Sequence, residues 1–348
     1  MDWPIIKAFL EDNNFPKYKS QQIFQAYFKN LIVDWNNMTN ISKNDRLLLD
    51  DQFHLTSLTI KEVLNGKDTI KFLMETKDYN KKIETVLLKH KDGRNTLCVS
   101  SQIGCAMRCS FCATGTMGFH RNLTSEQIYD QVILVANHLK KDDQKITNIV
   151  FMGMGEPMLN FEDVKSAIIM LHKSNGFNLG WRHFTISTCG IIPGILSQIK
   201  ELPQVNLAIS LHAPNNDLRS QLMPVNKKYP IQDLMTACDT FVKETRRRIF
   251  FEYIMLKDIN DKDEHAQELS RIIKKNPLYH VNLIRYHNTG FIDPHTGSEF
   301  QSSNNQSINN FIKILERNRV SVSLRHSFGT EIKAACGQLV TSNERIQE

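Results

Sequence analysis

Three cysteines within eight residues hold the most specific chemistry in this sequence: Cys105, Cys109 and Cys112, in Gly104-Cys-Ala-Met-Arg-Cys-Ser-Phe-Cys-Ala-Thr-Gly115. A cubane iron–sulfur cluster normally takes four thiolates. A compact trio leaves one iron open to hold a small molecule that can receive an electron, which is a catalytic arrangement. A structural zinc site would want four tetrahedral ligands, usually as two short Cys or His pairs. His120 could complete a set, but no second pair follows it. A redox pair of Cys109 and Cys112 alone would leave Cys105 without a role.

Further candidates lie downstream. Met152-Gly-Met-Gly-Glu-Pro157 has glycines that permit close backbone approach, and Glu156 could accept hydrogen bonds from an ammonium group. Ser187-Thr-Cys-Gly190 and Ser210-Leu-His212 could hydrogen-bond a ribose or a carboxylate. Taken singly, each is an ordinary turn or strand end; their succession behind three clustered cysteines is what gives them weight.

The elements that must position these residues are legible in the hydrophobic pattern. Residues 1 to about 64 are polar, with helical pieces over 4–11, 20–29 and 43–52, and read as a small accessory unit. Residues 65–95 read as a β-hairpin, from Thr69–Glu75 and Lys82–Leu88. From 96 to 348, β-rich runs at 97–101, 147–152, 183–187, 205–211, 249–255, 280–285 and 320–325 alternate with helix-length amphipathic segments. Thr124-Ser-Glu-Gln127 resembles a capping box, and Pro230 suits a first helical turn. The expected fold is α/β, a partial (β/α) barrel with a small helical N-terminal domain, and sites of such folds gather at the carboxyl ends of the strands.

Composition narrows the class. The chain has 348 residues and a formal charge of +6, from 43 basic and 37 acidic residues, which suits a polyanion partner. Its seven cysteines are odd in number, three of them clustered, and no stretch reads as a signal peptide, so a reducing cytoplasm is expected. No apolar run approaches the ~18 residues a membrane span needs.

Cys105/Cys109/Cys112, Gly153-Met-Gly-Glu-Pro157, Ser210-Leu-His212, Asn282-Leu-Ile284 and Ala334-Ala-Cys-Gly-Gln-Leu339 together resemble the RlmN/Cfr family of radical S-adenosylmethionine (SAM) RNA methyltransferases, over nearly the whole chain. The resemblance implies a radical SAM barrel and a 4Fe-4S cluster on the three cysteines. It further implies two SAM molecules per turnover, a monomer, and an electron donor such as flavodoxin or ferredoxin. The implied reaction methylates an adenine ring carbon in the peptidyl-transferase region of 23S rRNA, and in some members the adenine 3′ of a tRNA anticodon. Pro157 after Glu156 resembles the C2-methylating branch. Tyr279–Tyr286 and Ser327-Phe-Gly329 resemble the C8-methylating, antibiotic-resistance branch. A non-catalytic, metal-bearing RNA-binding module is the remaining alternative; binding alone has no need of Cys98 or Cys336.

By the same resemblance Cys336 is methylated and carries the one-carbon unit, and Cys98 resolves the adduct through a transient disulfide. The bland reading of both is a pair of core thiols. Glu84, in Ile-Glu-Thr-Val86, and the Cys98 thiolate are both candidates for taking the ring proton. Cofactor contacts are implied for Gly155, Glu156, Ser187, Ser210, Leu211, His212 and Asn288. At the last, the motif departs from the family's pattern: Tyr286 is followed by His287 where Asn is usual, and Asn288 comes one residue later.

Overall fold

The computed structural model describes residues 2–290, 292 and 297–339. Three helices come first: α1 (Trp3–Asp12), α2 (Lys17–Phe28) and α3 (Lys43–Gln52). The side chains of Asp2 and Ser42 cap α1 and α3 by accepting from Ile5 N and Asp45 N. α2 turns Ile23, Phe24, Ala26, Tyr27 and Phe28 inward.

An antiparallel extension follows, β1 (Leu58–Asn65), β2 (Thr69–Thr76) and β3 (Lys82–Lys89), leading into β4 (Asn95–Cys98). The extension therefore begins at Leu58, inside the 1–64 span expected to be helical, and has three strands rather than two. A bulge between Ile60 and Glu62 breaks the alternation of β1, which hides it from a period-two reading.

After a two-stranded ribbon, β5 (Gln102–Gly104) and β6 (Phe119–Asn122), flanking the short α4 (Ala113–Thr116), the chain alternates regularly. The order is α5 (Ser125–Leu139), β7 (Asn148–Phe151), α6 (Phe161–His172), β8 (Phe184–Thr188), α7 (Ile192–Glu201), β9 (Asn206–Ser210), α8 (Asn216–Leu222), α9 (Ile231–Thr245), β10 (Ile249–Met255), α10 (Asp263–Ile273), β11 (Tyr279–Arg285), α11 (Asn305–Arg317) and β12 (Ser321–Leu324). The sheet order is β1-β2-β3-β4-β7-β8-β9-β10-β11-β12, parallel from β4 onward. Among the described residues β12 pairs only with β11, so the barrel is an open arc.

Register decides what faces the interior. Strand side chains alternate between faces; Leu97, Ile149, Ile186, Leu207, Phe251 and Leu283 are fully buried apolar residues of the core. The other face carries a row set by pairing, with Cys98 opposite Val150, Ser210 opposite Glu252, Glu252 opposite Asn282 and Asn282 opposite Ser323. No helix among the described residues is long and apolar enough to cross a membrane.

The helical unit docks on α5. Tyr27 Oη donates to Asp130 Oδ1, Ser57 N and Ser57 Oγ donate to Oδ2 at 2.5 and 2.8 Å, and the Phe28 and Tyr129 rings meet edge to face at 5.2 Å. Asp130 is fully buried, so removing it strands several buried donors at once. Asp130→Ala should lower unfolding free energy on the order of 3 kcal/mol, read by urea denaturation. An unchanged midpoint would mean that this carboxylate does not fasten the two units.

Candidate functional site

The loop between β5 and α4 carries the three clustered cysteines. It leaves the ribbon at Gly104, where φ is +72° and an added Cβ would lie 1.9 Å from Gly118 O. Cys105 N donates to that same carbonyl at 2.8 Å. Arg108 takes a positive φ of 51°, and Cys112 N closes a turn onto Cys109 O at 3.1 Å. The loop is tied to the next layer by Ser110 N, which donates to Leu222 O at 3.0 Å, and by the Phe111 ring, 5.0 Å from that of His212.

All three thiols are half-buried. Burial pushes Cys105 up to about 12, with Cys112 and Glu156 adding to it; burial raises Cys109 and Cys112 as well. The polypeptide thus supplies too little positive charge to ionise the trio, although ligation requires thiolates. Irons would supply it. Among the described residues no three His, Cys, Asp or Glu side chains gather closely enough to hold a single metal ion. Three thiols on one half-buried loop, with no second Cys or His pair following them in the sequence, suit a polynuclear cluster better than a four-ligand zinc site. The donor set therefore fits a cubane.

Around this loop stand the strand-end motifs. Gly155 follows β7 with φ +99°, and a Cβ there would come within 2.5 Å of Gln102 Cβ. Gln102 Oε1 accepts from Glu156 N at 2.8 Å. The buried Glu156 carboxylate accepts from Met158 N (3.0 Å) and Cys189 N (2.8 Å), and so spans the ends of β7 and β8. Burial nevertheless raises its pKa. Ser187 sits opposite Ala208, and Ser210 ends β9. Leu211 and His212 both turn their N–H groups to Glu252 O. His212 has φ +56°, and its Nδ1 accepts from Ile254 N at 3.1 Å, so the ring is neutral with its proton on Nε2. Burial, reinforced by the Arg219 guanidinium, lowers its pKa to about 3.

A cavity of about 600 Å³ occupies the open arc. Cys98, at the end of β4, and Cys336, on the C-terminal loop, both line it. The two thiols, far apart in sequence, are thus brought to one space, and Cys336 is exposed where Cys98 is buried. Burial, then the neighbouring Cys336, holds Cys98 well above the ordinary thiol range. Arg325 lines the same cavity with Nη1 3.3 Å from both oxygens of buried Glu252. Asn282 Nδ2 donates to Glu252 Oε1 at 2.9 Å, and Ser323 Oγ donates to Asn282 Oδ1 at 2.9 Å.

The Cys336 loop is moored on two sides. Toward the cluster loop, Ala113 N donates to Gly337 O and Thr114 Oγ1 to Leu339 O, both at 2.7 Å. Toward the extension, Lys71 Nζ donates to Lys333 O at 3.3 Å and pairs with Glu84 Oε1 at 2.9 Å. Glu84 is buried. It lies off the cavity lining and touches the Cys336 loop through Lys71.

The structure does not bring Asn288 to the cavity. Its amide donates to Glu299 Oε2 (2.9 Å) and its Oδ1 accepts from Gly290 N (2.6 Å). His287, at the family's usual position, lines the cavity instead, with a buried Nε2 that has no hydrogen-bond partner among the described residues. The one-residue shift in the motif was the available signal. Arg219, Lys71, Glu252 and Arg325 carry contacts that a reading by motif does not find, since each depends on partners distant in sequence.

Comparison with known proteins agrees with this geometry. Residues 99–269 match the radical SAM superfamily. A protein of Dictyoglomus thermophilum named probable dual-specificity RNA methyltransferase RlmN is 42% identical over 96% of this chain and 93% of its own. One of the same name from Bacillus licheniformis is 39% identical over 99% and 92%. The crystal structure of a radical SAM methyltransferase from Sphaerobacter thermophilus superposes with a TM-score of 0.92, at 41% identity and 97% coverage of both chains.

Two measurements test the local geometry. Gly155→Ala should destabilise the protein by roughly 2–4 kcal/mol, from positive φ and overpacking on Gln102; a melting temperature equal to wild type would contradict the close approach. His212 resists protonation in the folded state, so its contribution to stability is complete above the unfolded value of 6.5 and falls away as pH drops toward 3. His212→Asn keeps an acceptor for Ile254 N and does not titrate. Between pH 7 and pH 4 wild type should lose about 3 kcal/mol more than this variant in urea unfolding of cluster-free protein. Parallel losses would show that the imidazole charges freely.

Proposed function

This chain belongs to the RlmN family of radical SAM RNA methyltransferases, and on that premise we propose that it methylates C2 of adenine in RNA through Cys336 and Cys98. The substrates proposed are an adenine of the peptidyl-transferase region of 23S rRNA and the adenine 3′ of a tRNA anticodon. The relatives' printed name, dual-specificity RNA methyltransferase, supports two RNA classes. The domain division is read in the same spirit: a helical docking unit, the antiparallel extension carrying Glu84, and the catalytic arc with the Cys336 loop.

Cys105, Cys109 and Cys112 would hold the 4Fe-4S cluster, and Glu156, Ser187, Ser210, Leu211 and His212 would surround SAM. Bound together, the two supply a 5′-deoxyadenosyl radical from one SAM, a second having served as the methyl donor. Cys336 carries that methyl on sulfur and gives up a hydrogen atom from it to the 5′-deoxyadenosyl radical, and the S-methylene carbon adds to the ring to leave an adduct radical. That adduct gives up one electron, which would return to the cluster that supplied it, and a proton leaves the ring carbon to Glu84 or the Cys98 thiolate. Cys98 sulfur then attacks Cys336 sulfur: the S–S bond forms as the S–C bond breaks, and the electron pair stays on the former methylene, which is protonated to methyl. Reduction of the disulfide by an external dithiol restores both thiols.

One observation carries this reading: Cys98 and Cys336 share a cavity with the Cys336 loop hydrogen-bonded to the cluster loop. The cavity's other end favours RNA. It runs to Asn148, Asn206, Phe250 and His280 at the starts of the parallel strands, and Arg94 lines it. Exposed Arg182, Arg246 and Arg248 lie just before β8 and β10, at that same end, placed for phosphate.

Cys98→Ala should form a covalent thioether conjugate with RNA and stall, whereas Cys336→Ala should give neither conjugate nor methylated adenine. Gel analysis after nuclease digestion reads the conjugate. Normal turnover by folded Cys98→Ala would remove it from the reaction. Mass spectrometry of adenosine from a methylation-null host expressing the chain should give 2-methyladenosine; 8-methyladenosine would assign the other regiochemistry.

A further inference from the structure

Arg219, on α8, is among the most deeply buried charges of the protein, with no exposed surface. All of its described partners are neutral oxygens. Nε donates to Leu211 O at 3.1 Å. Nη1 donates to Asn226 Oδ1 (3.0 Å) and Tyr229 O (3.4 Å), and Nη2 to Cys189 O (2.6 Å) and Ser210 O (3.3 Å). Carbonyl dipoles satisfy its donors but not its net charge, and a cation removed from water without an anion is costly. The anion must come from beside it.

The neighbours identify where. α8 ends at Leu222, whose carbonyl receives Ser110 N and Ser110 Oγ, from between Cys109 and Cys112. Leu211 O, which holds Nε, adjoins His212, whose ring meets Phe111 of the same loop. His212 beside it is neutral, Arg108 of the loop itself is exposed to solvent, and Glu156 is held by Met158 N and Cys189 N rather than by Arg219. Three thiolates outweigh the charge of an oxidised cubane core, and one-electron reduction adds another negative charge.

We infer that Arg219 is the counter-charge of the cluster: it fastens the ends of β8 and β9 through their carbonyls and, by its fixed positive charge, raises the cluster's reduction potential. This rests on the assignment of a cluster to Cys105, Cys109 and Cys112. The electron comes from a low-potential one-electron donor, and a nearby cation stabilises the reduced, more anionic state.

The test is an EPR-monitored redox titration of anaerobically reconstituted protein with dithionite as reductant, with iron and sulfide analysis alongside. In Arg219→Gln the ratio of reduced to oxidised cluster at fixed potential should fall at least tenfold, a shift of about 59 mV for one electron. Arg219→Lys keeps the charge and loses the fork, so it should stay within threefold of wild type although less heat-stable. A fully loaded Gln variant with the wild-type ratio would overturn the inference, as would a tenfold fall in the Lys variant. If the Gln variant does not fold, Arg219→Met, of similar length and without charge, takes its place and should show the same tenfold fall; a wild-type ratio in it overturns the inference. Absence of iron and sulfide from wild type would instead defeat the cluster assignment itself.

Discussion

Two hydrogen bonds, from Ala113 N to Gly337 O and from Thr114 Oγ1 to Leu339 O, fix the loop that bears Cys336 against the loop that bears the clustered cysteines. The rest of the site depends on them. In the reaction proposed, a carbon on Cys336 would have to meet a radical from one loop and a base entering from another direction, and effective concentration falls steeply when reacting atoms lie an ångström out of place. Nothing in β12 itself points the following residues toward α4. Their path is set by anchors on the extension: His326 Nε2 at 3.1 Å from Asp68 Oδ2, the Glu331 side chain receiving Lys67 N at 2.9 Å, and Lys71 reaching Lys333 O.

That arrangement explains why the barrel stays open. A closed ring of parallel strands would fill its interior with side chains, whereas here the sheet runs on from β4 into the antiparallel extension, a loop crosses from β12 to that extension, and the cavity remains. The row Cys98, Glu252, Asn282, Ser323 faces this space because of register alone; slipping one residue would turn all of it into the helical layer. The buried Glu252 in turn needs Arg325, whose charge is favoured first by that carboxylate and then by the Cys336 and Cys98 sulfurs. The same ion pair thereby ties β10 to the segment leading into the Cys336 loop.

Much of this was legible in the sequence. The seven parallel strands fall within two residues of their expected starts, and Ile249–Met255 coincides with the segment read from its apolar run. Their termini are marked by Gly, Asn and Pro, and burial on both faces makes the runs continuous. The cysteine trio was readable because its spacing is local. β1 was not, since a bulge and an exposed edge face erase its alternation, and β5 and β6 are too short to have one. The site's electrostatics were hidden for another reason. Arg219 on a short helix, or Glu252 and Arg325 on separate strands, looks like an ordinary charge until folding buries it. At the family's usual Asn position stands His287, with Asn288 one residue later, and the sequence leaves open which of the two takes that role; of the two it is His287 that lines the cavity.

The central claim is that Cys98 and Cys336 are partners across one cavity. Mild oxidation of the folded, cluster-loaded protein followed by non-reducing peptide mapping tests it most directly. One dominant cross-linked species joining the peptides of Cys98 and Cys336, reversed by dithiothreitol, is expected. Recovery of Cys336 as a free thiol under conditions that oxidise exposed cysteines, or its pairing with any other cysteine, would contradict it.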